Sequence, residues 1–250
     1  MTIGVIPAAG RGTRTFPLSS KIQKVMLDVG GKPLLQRNVE LLRDQLDSKL
    51  IYIIVGHLGQ QIKKHFGDGS DFDVEIEYVT QKEPDGIGAA VHITRRYITK
   101  PFFVLLGDEF YMGSNHRDVL ALLKKKINAV CGFRYAESKS YVRENYTGKL
   151  NGNRILSLEE KPKRAANMHM GCGTYFFNPV IYQYLKKTPP SSVRGEIELT
   201  DAINNLAKSE SGVYAFFLEG DYVNVNSMKD LQRARKLIHQ SERKCSQRKR

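Results

Sequence analysis

The chain has 250 residues, of which 41% are hydrophobic, enough for a substantial core in one domain or in one domain with a small appendage. No uncharged apolar run approaches the roughly 20 residues of a membrane span, and no basic region leads to a cleavage site, so no membrane partner is expected and the cytoplasm is the expected compartment. Three isolated cysteines and six scattered histidines point away from a disulfide framework, a thiolate metal centre and a histidine-centred nucleophilic triad.

The net charge of +13 is unevenly placed. Between residues 228 and 250, nine Lys or Arg stand against two acids, a net +7, and the other 227 residues carry only +6. A basic end of this kind reads as a solvated tail before it reads as a nucleic-acid site. The moderate charge of the remainder suits a chain that binds phosphates.

The first apolar run, 3–6, predicts a buried parallel strand that empties into the turn Pro7-Ala8-Ala9-Gly10-Arg11-Gly12-Thr13-Arg14. Gly10 and Gly12 can take positive φ and bare backbone N–H groups, while Arg11, Arg14 and the later Lys24 add the charge a polyphosphate needs. For the glycines alone, a basic surface loop is the plainer reading. The dinucleotide fingerprint lacks its third glycine here, Pro17 interrupts its helix, and Lys24 has neither the glycine nor the Ser or Thr that flank a Walker lysine.

Pro33 can start a helix carrying Leu34, Leu35, Val39, Leu42 and Leu46 at helical spacing. A strand at 50–55, a helix at 60–66, an alternating strand at 74–79, a helix at 88–97 and a strand at 101–106 follow. This succession predicts a mainly parallel sheet with helices on both faces and ligands at the carboxyl ends of its strands. The second half predicts strands at 128–135, 154–159, 172–177 and 213–218, with 141–153 an irregular polar stretch. Helices are expected from Asn178-Pro179 onward, at 197–207 and at 228–239. No linker or repeat divides the chain, so one domain over 1–240 and a basic, flexible tail over 241–250 are expected.

Three strand ends carry candidate chemistry. Asp108, after Leu105-Leu106-Gly107, is placed to hold a hard cation, and magnesium on phosphates needs only one or two protein oxygens; an Asp capping a turn has the same appearance. Gln81 and Gly86 could meet a flat base, one through its amide and the other through close backbone approach, although alone the segment is a turn. Glu160 and Lys161 set a carboxylate and an ammonium at a third strand end, where a surface salt bridge is the commoner explanation.

In order along the chain, Ala8 to Arg14, Lys24, Gly31-Lys32-Pro33, Gln81 with Gly86, Gly107-Asp108, Glu160-Lys161-Pro162, 171–177 and Gly195-Glu196-Ile197-Glu198-Leu199-Thr200-Asp201 resemble the sugar-1-phosphate nucleotidylyltransferases. Only the tail beyond about residue 237 lies outside the resemblance. It implies a Rossmann-like three-layer α/β/α fold with a mixed, mainly parallel central sheet, and a Mg²⁺-dependent attack of a sugar phosphate on the α-phosphorus of an NTP, with UTP or dTTP favoured. It further implies that Ala8, Ala9, Gly10, Arg11, Gly12 and Thr13 cradle the triphosphate while Arg14 and Lys24 neutralise it. Gln81 and Gly86 would contact the base, Asp108 the metal, Lys161 the acceptor phosphate, and Glu160, Gly173 and Glu196 the rest of the acceptor.

The family's second metal ligand is often an Asp in Trp-x-Asp-x-Gly, where this chain reads Tyr222-Val223-Asn224-Val225-Asn226. An Asn carbonyl can still coordinate magnesium, and some relatives making UDP-N-acetylglucosamine use Asn there, so Asn224 is the expected second ligand, with Asn226 competing. Glu109 stands where the family often has Asn. Two other functions stay open: a cytidylyltransferase acting on a phosphorylated alcohol, amine or phosphonate, and a catalytically silent regulatory subunit that binds nucleotide sugar. The expected partners are an NTP and a phosphorylated small molecule. Homo-oligomerisation is left open.

Overall fold

The structure is a computed structural model that describes residues 2–12, 21–123, 127–192, 195–209 and 212–248, with side chains through residue 243. Strands β1 (Thr2–Pro7), β2 (Ser48–Val55), β3 (Glu75–Thr80) and β4 (Phe102–Leu105) are parallel and lie side by side in the order 3-2-1-4. Successive side chains point to opposite faces, so Val5 and Val104 enter one core while Ile6 and Leu105 enter the other.

Helices cover both faces. On the Ile6 side lie α1 (Leu34–Leu46) and α2 (Gly59–Phe66), contributing Leu35, Val39, Leu42, Ile62 and Phe66. Each fully buried leucine there is worth about 2 kcal/mol. Helix α1 starts behind Pro33, whose missing N–H is harmless at that position. It packs so closely on β1 that a Cβ on Gly4 would lie 2.8 Å from Leu42 Cδ1. On the Val5 side, α3 (Ile87–Ile93) is shorter than the expected 88–97, and a 3₁₀ turn, Thr94–Arg96, follows it. Thr94 Oγ1 bonds back to the Val91 carbonyl at 2.7 Å and to the Tyr182 hydroxyl at 2.9 Å, local bonding that competes with helix continuation.

The second half holds β5 (Glu109–Met112), α4 (Val119–Leu122), β6 (Ala129–Tyr135), α5 (Lys139–Glu144), β7 (Tyr146–Asn151), β8 (Arg154–Glu160), β9 (His169–Phe177), α6 (Ile181–Lys187), α7 (Leu199–Ser209), β10 (Val213–Phe217), β11 (Asp221–Asn224) and α8 (Met228–Arg248). The nine-stranded sheet has the order β3-β2-β1-β4-β9-β6-β10-β8-β7. Only β8 and β9 oppose the other seven strands, giving the expected mixed, mainly parallel sheet between two helical layers. Helices α6 and α7 join α3 on the Val5 face through Ile181, Leu185, Ala202 and Ile203.

The second half departs from the sequence reading in three places. The stretch 141–153 is not irregular: it holds the end of α5 and all of β7, which pairs with β8 across a turn at Gly152, φ +56. Strands β5 and β11 form a separate two-stranded antiparallel ribbon that no run of apolar residues announced. Helix α8 passes the expected end at 239 and runs to Arg248. Its Leu231, Ala234 and Ile238 seal a third cluster with Phe110 and Val223 of the ribbon. Among the described residues, no helix is long and apolar enough to cross a membrane.

Candidate active site

The order 3-2-1-4 reverses direction between β1 and β4, which leaves a crevice beyond their carboxyl ends. A cleft of about 420 Å³ opens there, and Ala8, Ala9, Gly10, Arg11 and Gly12 form one wall. Gly12 takes the positive φ expected of it, +63, whereas Gly10 does not. The Ala8 N–H is already spent on the Ile54 carbonyl at 2.8 Å. Thr13 and Arg14 lie outside the described residues.

Gln23, which the sequence did not single out, pins this wall. Its buried amide donates to the carbonyls of Ala8 and Gly10 at 2.7 and 3.1 Å, and its Oε1 accepts from Val25 N at 2.7 Å. Lys24 follows in a 3₁₀ turn, Lys24–Met26, and is 8% exposed. Its Nζ donates to Asp108 Oδ2 at 2.7 Å and to Asn226 Oδ1 at 3.2 Å. Asp108 itself is carried on a turn braced by Asn38, whose Nδ2 donates to the Leu106 and Gly107 carbonyls at 3.3 and 3.1 Å.

The ribbon brings the competing asparagines to the same place. Asn224 pairs with Glu109, and Val225 N donates to the Asp108 carbonyl at 2.9 Å. Asn226 gives its oxygen to Lys24, while Asn224 Oδ1 is buried without a hydrogen-bond partner among the described residues. A buried oxygen left open in this way is costly unless a ligand meets it. Together with the Asp108 carboxylate it is a donor set suited to a hard cation that also binds phosphates. Among the described residues no group of three or more His, Cys, Asp or Glu could hold a metal.

On the β3 side, Gln81 Nε2 donates to the Gly86 carbonyl at 3.4 Å. Gly86, φ +98, is pressed so tightly against the next segment that a Cβ would lie 2.9 Å from Glu196 Cβ. Glu196 therefore borders both the Gln81 loop and the cleft. Opposite, Glu160 ends β8, and Lys161 adopts φ +43, a left-handed conformation unusual for a lysine, with its N–H bonded to the Asn145 carbonyl at 2.8 Å. Gly173 lies mid-strand in β9, where a Cβ would strike Leu106 at 2.4 Å. Gln81, Gly86, Glu160, Lys161, Gly173 and Glu196 all line the one cleft.

Glu109, opposite Asn224 in the ribbon, is buried. Its fully buried carboxylate accepts from Tyr111 OH, from Tyr222 OH at 2.8 Å and from Gly173 N at 2.7 Å, tying β5, β11 and β9 together. Burial dominates its titration and pushes the carboxyl up to about 7, against the pull of those donors. Burial likewise raises both tyrosines. Tyr111 is the only one of these partners that lies near Glu109 in the chain; Gly173 and Tyr222 are distant.

Fold and cleft together define a class: an α/β protein whose strand-end crevice carries backbone amides, two lysines and a hard-oxygen pair suited to phosphorylated ligands. The chain belongs to the nucleotidyl transferase family, whose model matches residues 3–241. It is 31% identical over 227 residues to the bifunctional protein GlmU of Methanococcus aeolicus, which takes in 91% of this chain and 52% of that protein. Against glucose-1-phosphate thymidylyltransferase of Streptomyces antibioticus it is 28% identical over 238 residues, 91% of this chain and 63% of that one. A solved Bacillus anthracis structure, assigned as a glucose-1-phosphate thymidylyltransferase in complex with sucrose, matches with a TM-score of 0.85 at 26% identity over 95% of both chains. The chain thus spans about half the length of the GlmU relative.

Proposed function

We propose that this chain transfers a nucleotidyl group from UTP or dTTP to a sugar 1-phosphate, with Mg²⁺ as cofactor and residues 1–240 as the catalytic unit. The observation that carries the reading is the meeting, in one strand-end cleft, of the Lys24–Asp108 pair, the open Asn224 oxygen, the Gly12 loop and Lys161. The names of the relatives support a sugar 1-phosphate as acceptor.

An oxygen of the acceptor phosphate forms a bond to the α-phosphorus as the bond to the β-phosphate bridging oxygen breaks, and pyrophosphate leaves. The attacking phosphate is already anionic, so no general base is required, and positioning and charge neutralisation dominate. The Ala9 to Gly12 backbone, with Thr13 and Arg14 beyond it, cradles the triphosphate. Lys24 neutralises it, while Lys161 draws in the acceptor phosphate. Glu160, Glu196 and the bare backbone of Gly173 bind the remainder of the acceptor. Gln81 spends one of its two N–H groups on Gly86, and its Oε1 can accept the N3–H of uracil or thymine. Asp108 and Asn224 would hold the metal, which when bound spreads the phosphate charge and steadies the leaving pyrophosphate.

A pyrophosphate-release screen of UTP, dTTP, CTP and ATP against glucose 1-phosphate, N-acetylglucosamine 1-phosphate and phosphocholine, with and without Mg²⁺, tests the reading. Release with UTP or dTTP and a sugar 1-phosphate, dependent on Mg²⁺, is expected. Release only with CTP and phosphocholine would replace the acceptor class. Nucleotide binding with no release from any pair would make the chain a regulatory binder.

A further inference from the structure

Asn145 is the C-cap of α5 and touches both sides of the cleft. Its backbone carbonyl accepts from Lys161 N at 2.8 Å. Its Nδ2 donates to the Tyr141 carbonyl at 2.9 Å, and its Oδ1 accepts from Asn224 Nδ2 at 3.3 Å. A backbone carbonyl can only accept, so Tyr141 decides which way round the Asn145 amide lies. That leaves an acceptor facing Asn224, which answers with Nδ2 and turns Oδ1, the buried atom without a partner, to the other side.

We propose that Asn145 is a positioning residue that holds the Asn224 amide with its oxygen toward the metal, so that a neutral side chain can serve as a ligand. The inference rests on the reading of Asn224 as that ligand. A carboxylate at 224 would have two equivalent oxygens and need no such help, whereas an amide turned over would offer the cation an NH₂ group. The residue that orients Asn224 also anchors the Lys161 backbone, so the metal end and the acceptor end of the cleft share one support.

The test titrates Mn²⁺ alone into the full chain and reads the free ion by EPR, with thermal melting to check folding. Asn145→Ala is expected to weaken Mn²⁺ binding about tenfold or more, as loss of an orienting partner does. In an Asn224→Asp background, Asn145→Ala is expected to change binding by less than about twofold. Wild-type binding in Asn145→Ala, or an equal loss in both backgrounds, overturns the proposal. Asn224→Ala with wild-type binding overturns the ligand reading itself, a result distinguishable from failure at Asn145 alone.

Discussion

At the residue scale, the ammonium of Lys24 is nearly buried and divides its donors between Asp108 and Asn226. A cation fixed in advance stabilises developing charge without reorganisation. Lys24→Met keeps most of the packing and is expected to lower turnover by about 10²-fold or more, read as pyrophosphate release, with little change in melting temperature. Glu109 makes a prediction of a different kind. Its carboxyl, ordinarily near 4.5, titrates near 7 in the fold. Between those values the native state holds a proton that the unfolded chain has released, so Glu109 contributes stability at low pH that is lost as pH rises from about 4.5 to about 7. Denaturant melts at pH 5 and pH 8 should show the wild type losing stability relative to Glu109→Gln on going to the higher pH; an unchanged difference would contradict the assignment. The same network explains why Glu109 could not be placed from sequence. Tyr111 is two residues away, but Gly173 and Tyr222 meet the carboxylate only through the sheet.

At the element scale, β9 lines the cleft through Gly173 and touches Asp108's turn through Leu106 N, which donates to the Gly173 carbonyl at 2.8 Å. Gly173→Ala would set a methyl 2.4 Å from Leu106 Cγ. Overpacking of this kind costs about 1–3 kcal/mol, and Leu106 can relieve it only by moving the turn that holds Asp108. Reduced stability in urea together with reduced turnover is the expected outcome; full activity would detach Gly173 from the site. Long apolar runs such as 50–55 and 101–106 were legible because burial on both faces demands them. β5, β7 and β11 were not, since each is four to six residues long and mixes polar with apolar side chains. For β7 a local clue existed, Asn151-Gly152-Asn153, a turn sequence between two runs that pair as a hairpin. For the ribbon there was none, because β5 and β11 are stabilised by each other and by α8.

At the scale of the whole molecule, the cleft draws on both halves of the chain, and Lys24 meets Asn226 across 202 residues. The reversal of strand order between β1 and β4 makes the crevice, and the insertion of β9 antiparallel beside β4 brings the second half to its rim. The sequence by itself determined the alternating α/β pattern, the glycine loop after β1, the lysines and the strand-end acids, because short-range periodicity and glycine spacing are written locally. Only the tertiary structure set the two asparagines apart, bonding Asn226 to Lys24 and leaving the Asn224 oxygen open. It also turned Glu109 inward and enlisted Gln23, Asn38 and Asn145. Those choices depend on which side chain finds a hydrogen-bond partner once burial removes water, and partners brought together from opposite ends of a sheet leave no mark in local sequence.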